Sequence, residues 1–439
     1  MKRNAPALRA GLSRRSFLKG STALMGAGAL APLLGASAAQ AQQASLRWST
    51  IAFGPEALAL WQQIATRAEG LHPDIKAQVE GTPFNDYWTK LQTQLASGGS
   101  ADLLQMQSLR FPQYASRGVL KPLGSYISAD SGFDVNDFYP TIRQAFEYDG
   151  QLQILPFDIG AYVTYINVDL FKELGVPLPD PEKPMSWDQL VDTAKALTNP
   201  DKGTYGLVLS PDLDSSTPWL WSNGGLVYSD DMKTAKLDSP DTVGAGQFLI
   251  DLLFKHKVAL PVTDLSNANF APEAFVGGKV GMYFDGPWRF VSIRQNAKFN
   301  WDVVPFPAGQ AGSVPWVAGS GWGISSQSSN PDKAWELLAE LTSTDSLKIL
   351  YDAGRVFPAR KSTFAKRTQT GDAPQNAGVV AKVLNGEIGA ARPLITPAAY
   401  SEIVQAARQT LTPLFAESGD AAAALGDLQG QVQSLLDRG

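Results

Sequence analysis

Between residues 46 and 107 the chain alternates short apolar runs with amphipathic stretches, and this alternation restricts its fold more than any other feature. Residues 46–53 read as a strand. Residues 56–69 then place Leu60, Trp61, Ile64, Ala65 and Ala68 on one face of a helix, with Gly70 as a left-handed stop. A second strand is expected over 75–80. Tyr87, Leu91 and Leu95 stripe a further helix that starts near Asn85 or Asp86 and ends at Gly98-Gly99, and 101–107 follows as a buried strand. Strand–helix–strand units of this kind imply an α/β protein with a mostly parallel sheet and helices on both faces. Ligands on such sheets gather at the carboxyl ends of the strands.

About 400 residues follow residue 41, more than one hydrophobic core usually organises, so two lobes are expected. Further along, Tyr148-Asp149-Gly150-Gln151 has the form of a tight hairpin turn feeding a strand over 152–155. Ser186-Trp187-Asp188-Gln189 has the form of a capping box and opens a helix that runs through Leu197. Asn330-Pro331 is expected to cap and start a helix over 332–341, with proline at the first helical position, where its missing N–H does no harm. Three proline–aromatic junctions, Pro156-Phe157, Pro305-Phe306-Pro307 and Phe357-Pro358, interrupt the pattern at wide intervals. They read either as loop punctuation or as crossings of the chain between two lobes.

The N-terminal 41 residues carry a different message. A basic stretch containing Arg14-Arg15 and Phe17-Leu18-Lys19 precedes the apolar run 20–34 and the small-residue site Ala39-Gln40-Ala41, an order that marks a twin-arginine type export signal cleaved near Ala41. The apolar run is too short to span a bilayer core, and charged residues interrupt every later hydrophobic run. The expectation is a soluble, monomeric periplasmic protein. Residues 1–41 hold six basic residues and no acid, so the formal net charge falls from −5 for the whole chain to −11 for the remainder. An acidic surface argues against nucleic acid or anionic lipid as partner.

Catalytic chemistry finds little to work with. There is no cysteine, and the two histidines, His72 and His256, sit in no metal-ligand spacing, so zinc, haem and thiol chemistry are not expected, nor is any cofactor. Gly26-Ala27-Gly28-Ala29-Leu30-Ala31 mimics a dinucleotide fingerprint but lies inside the apolar part of the signal. Gly319-Ser320-Gly321-Trp322-Gly323 lacks the first glycine of a nucleophile elbow. Asp158, Asp212, Asp214 and Asp285 offer the carboxylates of a glycoside-cleaving acid and base, yet an aspartate beside proline or glycine more often bonds its local backbone in a turn or cap.

Aromatic residues are plentiful instead, with 11 Trp, 12 Tyr and 20 Phe. Several tryptophans occupy Gly- and Pro-rich segments: Trp219 and Trp221 before Asn223-Gly224-Gly225, Trp288 after Gly286-Pro287, Trp316 after Pro315, and Trp322 between glycines. An indole on a loop offers a flat, accessible face. Sugars present apolar C–H faces rimmed by hydroxyls, so such rings together with Asp, Asn, Gln or Arg suit a carbohydrate cleft.

Four segments between residues 84 and 123 resemble one known family: Phe84-Asn85-Asp86-Tyr87-Trp88-Thr89-Lys90-Leu91, Gln94 through Gly98, Ala101 through Leu104, and Tyr114 through Leu123. Tyr165-Ile166-Asn167-Val168-Asp169-Leu170-Phe171, Gly278 through Met282 with Gly286-Pro287-Trp288, and Gly319 through Ile324 continue the likeness in order. The set resembles the carbohydrate-binding extracytoplasmic solute-binding proteins of ABC importers, the maltose-binding-protein type. The resemblance implies a two-lobed periplasmic-binding-protein fold, each lobe a mostly parallel sheet flanked by helices, joined by a multi-segment hinge. With residues 1–41 as signal, it divides the chain into a first lobe of 42–157 and 305–357 and a second lobe of 158–304 and 358–439.

The same resemblance implies capture of a carbohydrate by lobe closure and delivery to an ABC permease in the inner membrane, without catalysis. It assigns ligand contacts to Arg110 and Trp288 and, by position, to Gln107, Asp158, Asp285, Gly319, Trp322 and Arg360. Gln107 stands where many relatives keep an aspartate, Gly160 where maltose-binding relatives keep a contacting glutamate, and Met106 where they keep a stacking tryptophan, departures that point away from maltodextrin itself. Alternatives are a binder of a polyol or glycerol-phosphate-like solute and an exported glycoside-active enzyme.

Overall fold

The computed structural model describes residues 43–52, 55–262, 267, 269–365 and 374–438; the expected signal and its twin arginines lie outside these residues. Two sheets organise them. The first runs in the order Ile75–Thr82, Ala44–Ile51, Leu103–Gln107, Ser320–Ile324, Leu155–Pro156, and the second Trp301–Pro305, Val163–Asn167, Val280–Asp285, Tyr205–Leu207.

The two-lobed α/β architecture stands, while the sheets are mixed. Ala44–Ile51 pairs in parallel with both of its neighbours, where helices Pro55–Leu71 and Phe84–Ala96 supply the crossovers. Ser320–Ile324 then enters antiparallel to both of its neighbours, and in the second sheet only Val280–Asp285 and Tyr205–Leu207 run parallel. A strand that returns from another lobe has no crossover helix to set its direction, which is why local alternation does not reveal it.

Local signals otherwise become local structure. Leu60 aside, the stripe expected on the first helix is its buried face, with Trp61, Ile64, Ala65 and Ala68 enclosed. Ser186 and Gln189 form both halves of a capping box on helix Trp187–Leu197. Glu147–Tyr148 and Gln151–Leu152 form the hairpin, with Asp149 and Gly150 at positive φ as a tight turn of this type requires. Helix Pro331–Leu341 begins as expected with proline inside its first turn, but the Asn330 side chain makes no capping bond and donates instead to Ser329 Oγ at 3.2 Å.

A third, small sheet joins the lobes. Its strands are Arg392–Pro393, Trp316–Ala318 and Gly160–Ala161. The chain leaves the first sheet at Pro156, passes through Gly160–Ala161 and enters the second at Val163; it returns from Pro305 through Trp316–Ala318 to Ser320. Phe357-Pro358 runs beside the first of these passages, where Ile159 N donates to Phe357 O at 3.0 Å and Asp158 bridges Pro358. Lys361–Ala365 follows it and still bonds to the first lobe through Ser362 N and Asp137 Oδ1 at 2.9 Å.

Alternating side chains on the second sheet serve two cores. Tyr165, Tyr283 and Val303 face the core continuous with the first lobe, whereas Ile166, Met282, Phe284 and Val304 face one built on Trp219, Leu249 and the C-terminal helices Tyr400–Glu417 and Ala421–Leu436.

Candidate functional site

A cavity of about 440 Å³ opens where the carboxyl end of the first lobe's strand Leu103–Gln107 faces the second lobe. Gln107 and Arg110 line it from one side; Tyr162, Asp212, Asp214, Asp285, Trp288, Trp316 and Tyr400 line it from the other. It lies at the end of the strands where α/β sheets hold ligands.

Trp288 is the exposed ring of this cleft. The residue is 38% exposed, whereas most large apolar residues among those described are enclosed. The ring stacks on Trp316 at 5.4 Å and 16°, and Tyr162 packs against Trp316 at 4.5 Å. Two glycines make the pose available. A Cβ at Gly286 would lie 2.1 Å from Trp288 Cη2, and one at Gly160 would lie 2.8 Å from both Trp288 Cζ3 and Pro287 Cδ. The space beside Gly160 is therefore occupied by the tryptophan ring.

Asp285 anchors the turn that carries this ring. Its carboxylate accepts from Gly286 N at 2.8 Å, from Arg289 Nε at 2.8 Å and from the Tyr283 hydroxyl, and the Tyr165 hydroxyl holds Gly286 O at 2.5 Å. The charge-assisted pair with Arg289 makes this a rigid mount.

Two further aspartates come from the start of helix Leu213–Ser222. Asp212 caps it, accepting from Ser215 N at 2.8 Å and Ser215 Oγ at 2.9 Å, and burial pushes its carboxyl up from the usual range. Asp214 accepts from the Tyr400 hydroxyl at 2.5 Å, while its backbone oxygen accepts from Trp316 Nε1 at 2.8 Å. Burial, reinforced by neighbouring Asp212, pushes the Asp214 carboxyl up to about 7 against the opposing effects of Tyr400 and Arg110. Arg110 lies with its guanidinium carbon 4.8 Å over Trp88 and 5.8 Å over Phe84, which orients the cation at the cleft wall.

Of the eight residues expected from sequence to touch ligand, Gln107, Arg110, Asp285 and Trp288 line this cavity. Four do not. Trp322 is 0% exposed and belongs to the first lobe's core, edge-on to Trp48 at 5.1 Å and Trp61 at 5.4 Å and stacked on Phe157 at 4.2 Å, with Nε1 donating to Thr50 Oγ1 at 3.2 Å. Its expected place in the cleft is thereby corrected. The flanking glycines lie within a strand and admit its neighbours: a Cβ at Gly321 would sit 2.4 Å from Leu155 O, and one at Gly323 2.5 Å from Gln153 O.

Arg360 is likewise a buried tie within the first lobe, donating through Nε to Thr342 O at 2.6 Å and through Nη1 to Asp134 O at 3.1 Å, and paired with Asp137 at 3.3 Å. Asp158 accepts from Ser320 N at the passage between lobes, and Gly319 is the close neighbour that a Cβ would drive to 2.3 Å from Asp158 O. Burial pushes the Asp158 carboxyl up to about 7. Met106 is fully buried.

Sequence reasoning did not assign Tyr162 or Tyr400 to the site, and it weighed Asp212 and Asp214 only as an acid–base option or as caps. The Asp212–Ser215 spacing is a local signal for a cap, whereas Tyr400 lies 186 residues from its partner Asp214, beyond any local pattern.

Comparison with known proteins supplies a context for this geometry. Residues 54–348 match the family model for bacterial extracellular solute-binding proteins. A mannitol-binding protein of Pseudomonas aeruginosa is 34% identical over 149 residues, covering 34% of this chain and 33% of that protein. A lactose-binding protein of Rhizobium radiobacter is 23% identical over 332 residues, covering 71% and 77%. An ABC substrate-binding protein of Listeria monocytogenes, solved in complex with cycloalternan, shares the fold with a TM-score of 0.79 at 24% identity, covering 89% of this chain and 98% of that one.

Proposed function

Because the chain belongs to the bacterial extracellular solute-binding protein family, we propose that it captures a neutral carbohydrate in this cleft by lobe closure and hands it unchanged to an ABC import permease. The observation that carries the reading is the exposed Trp288 ring, backed by Trp316 and faced from the other lobe by Arg110 and Gln107. An indole face takes the C–H face of a sugar ring, and carboxylates and a guanidinium take its hydroxyls. In this reading the chain is exported through its twin-arginine signal, cleaved near Ala41, and works as a periplasmic monomer.

Closure needs contacts from both lobes. A ligand that touches the two together shifts an open–closed equilibrium by its preference for the closed state and no further. Segment 109–113 of the first lobe already meets the C-terminal segment, with Thr396 Oγ1 donating to Leu109 O at 2.8 Å and Ser401 Oγ donating to Gln113 Oε1 at 3.0 Å. Micromolar capture needs about −8 kcal/mol, a value within reach of a stacked ring and a few charge-assisted hydrogen bonds.

The cleft chemistry weighs against the alternatives. A phosphorylated polyol needs converging cations, but Asp212, Asp214 and Asp285 line the cavity and Arg289 is paired with Asp285. A glycoside-cleaving pair needs free carboxylates flanking a bond, but Asp212 is engaged as a helix cap and Asp285 in a turn mount. A thermal-shift screen of mono- and oligosaccharides, polyols and phosphorylated polyols tests the reading, since a ligand of the native state raises its melting temperature. A neutral sugar is expected to give the largest shift and to be recovered intact; a shift only with phosphorylated solutes, or cleavage of the sugar, overturns the reading.

A further inference from the structure

The Trp288 ring rests against the small sheet that joins the lobes. In that sheet Trp316–Ala318 pairs antiparallel with Gly160–Ala161, so that Val317 stands opposite Ala161 and Ala318 opposite Gly160. Side chains alternate along a strand, and directly opposed residues share a face. Val317 and Ala161 accordingly pack into the core continuous with the first lobe, while Trp316 and Ala318 turn to the other face and the core of the second lobe. Gly160, opposed to Ala318 on that second face, brings no Cβ, and the Trp288 ring takes the room it leaves.

Trp316 is held on every side by this arrangement. It is buried, its ring lies nearly parallel to that of Trp288 at 5.4 Å, and Tyr162 packs against it at 4.5 Å. Its single polar atom is engaged with the backbone, where Nε1 donates to Asp214 O at 2.8 Å at the start of helix Leu213–Ser222. A side chain so enclosed has little left to offer a ligand. What it fixes is a plane: an indole with its N–H anchored and two aromatic neighbours keeps one orientation, and the ring stacked on it keeps the same one.

We propose that Trp316 is a positioning residue for recognition: from the strand that crosses between the lobes it sets the plane in which Trp288 meets a sugar, without touching the sugar itself. Resting on the carbohydrate reading of the cleft, this assigns the angle of the stacking contact to the joining sheet as well as to the turn 286–289 that carries the ring. A flat C–H face gains from an indole only where the indole is already held parallel to it, because ordering a loose ring at the moment of binding costs affinity.

The test is a double-mutant cycle in sugar affinity on the full chain, with glucose, maltose, lactose and mannitol as calorimetric probes and the tightest of them used in every variant. Trp316→Leu removes the stacking partner, and Trp316→Phe keeps a ring but loses the anchor to Asp214 O; ligand-free melting temperatures check that each folds. Trp316→Leu is expected to weaken the probe about fivefold or more, as coupling between residues in contact allows, and Trp316→Phe to give a smaller loss. In the Trp288→Ala background both losses should shrink below about twofold, since a residue that acts through another has no effect once the other is gone. Fluorine NMR of ligand-free, fluorotryptophan-labelled protein supplies a readout without sugar: the Trp288 signal, assigned by its absence in Trp288→Ala, should move in Trp316→Leu and lie nearer its parent position in Trp316→Phe. Should Trp316→Leu fail to fold, the cycle and the spectrum stand on Trp316→Phe. Parent affinity in the Trp316 variants, equal losses with and without Trp288, or an unmoved Trp288 signal overturns the inference and leaves the cleft reading standing. The cleft reading itself falls, and the inference with it, if Trp288→Ala binds every probe as the parent does or if none of the four binds.

Discussion

In the turn 286–289 a tryptophan beside glycine and proline stands out into the cleft, while in strand Ser320–Ile324 a tryptophan flanked by glycines on both sides is wholly enclosed. The two share their local chemistry and differ in what uses the space the glycines leave. At Gly160 and Gly286 that space is taken by the Trp288 ring itself, which stacks on Trp316 and remains partly exposed. At Gly321 and Gly323 it is taken by the chain around 153–155, so Trp322 is directed into the cluster of Trp48, Trp61 and Phe157. Glycine beside tryptophan therefore signals close approach, and the neighbour that approaches decides whether the ring serves stability or recognition.

Substitutions should separate the two roles. Trp322→Ala is expected to cost about 3–5 kcal/mol of stability, read as a large fall in the unfolding midpoint, while the protein that remains folded keeps its sugar affinity in calorimetry. Trp288→Ala reverses the pattern: affinity falls tenfold or more, about 1.4 kcal/mol, and the ligand-free melting temperature moves far less than in Trp322→Ala. Equal effects of both variants on affinity would remove the distinction.

A smaller effect is expected at Gly160→Ala, where the added methyl meets Pro287 and Trp288 at 2.8 Å. Overpacking there costs about 1 kcal/mol and weakens sugar binding by less than loss of the whole ring does, because the indole shifts but remains. Quenching of tryptophan fluorescence by acrylamide, which reports ring exposure, should change in this variant and identify displacement as the cause.

A further effect, seen as a pH dependence of stability, concerns two buried carboxyls. Burial pushes Asp158, between the lobes, and Asp214, in the cleft, each up to about 7. An unfolded aspartate titrates near 3.9. Between those values the native state retains protons that the unfolded chain has lost, so each group's favourable contribution is complete below about pH 4 and is lost as pH rises through about 7. Asp158→Asn should flatten that decline in denaturation experiments and leave sugar affinity unchanged, whereas Asp214→Asn should flatten it and also alter affinity.

Much of this fold was legible because it is written locally. The Trp61, Ile64, Ala65 and Ala68 stripe, the Ser186–Gln189 capping box and the 148–151 hairpin each involve partners within a few residues of one another, so spacing alone reveals them. Gln107 and Arg110 were assigned through resemblance to known binders alone, and they lie by the carboxyl end of strand Leu103–Gln107. The mistaken place of Trp322 came from reading its glycines as a loop when they are sites of close strand packing.

By itself the sequence determined the order of strands and helices, the chain's family and the abundance of rings suited to a sugar, because helix and strand periods and caps are short-range properties of the chain. Only the tertiary structure decided strand direction where a segment returns from the other lobe, which glycine-flanked indole faces solvent, and the union of Asp214 with Tyr400 across 186 residues. Those outcomes depend on what distant segments place against a side chain, and burial is a property of the assembled neighbours rather than of the residue.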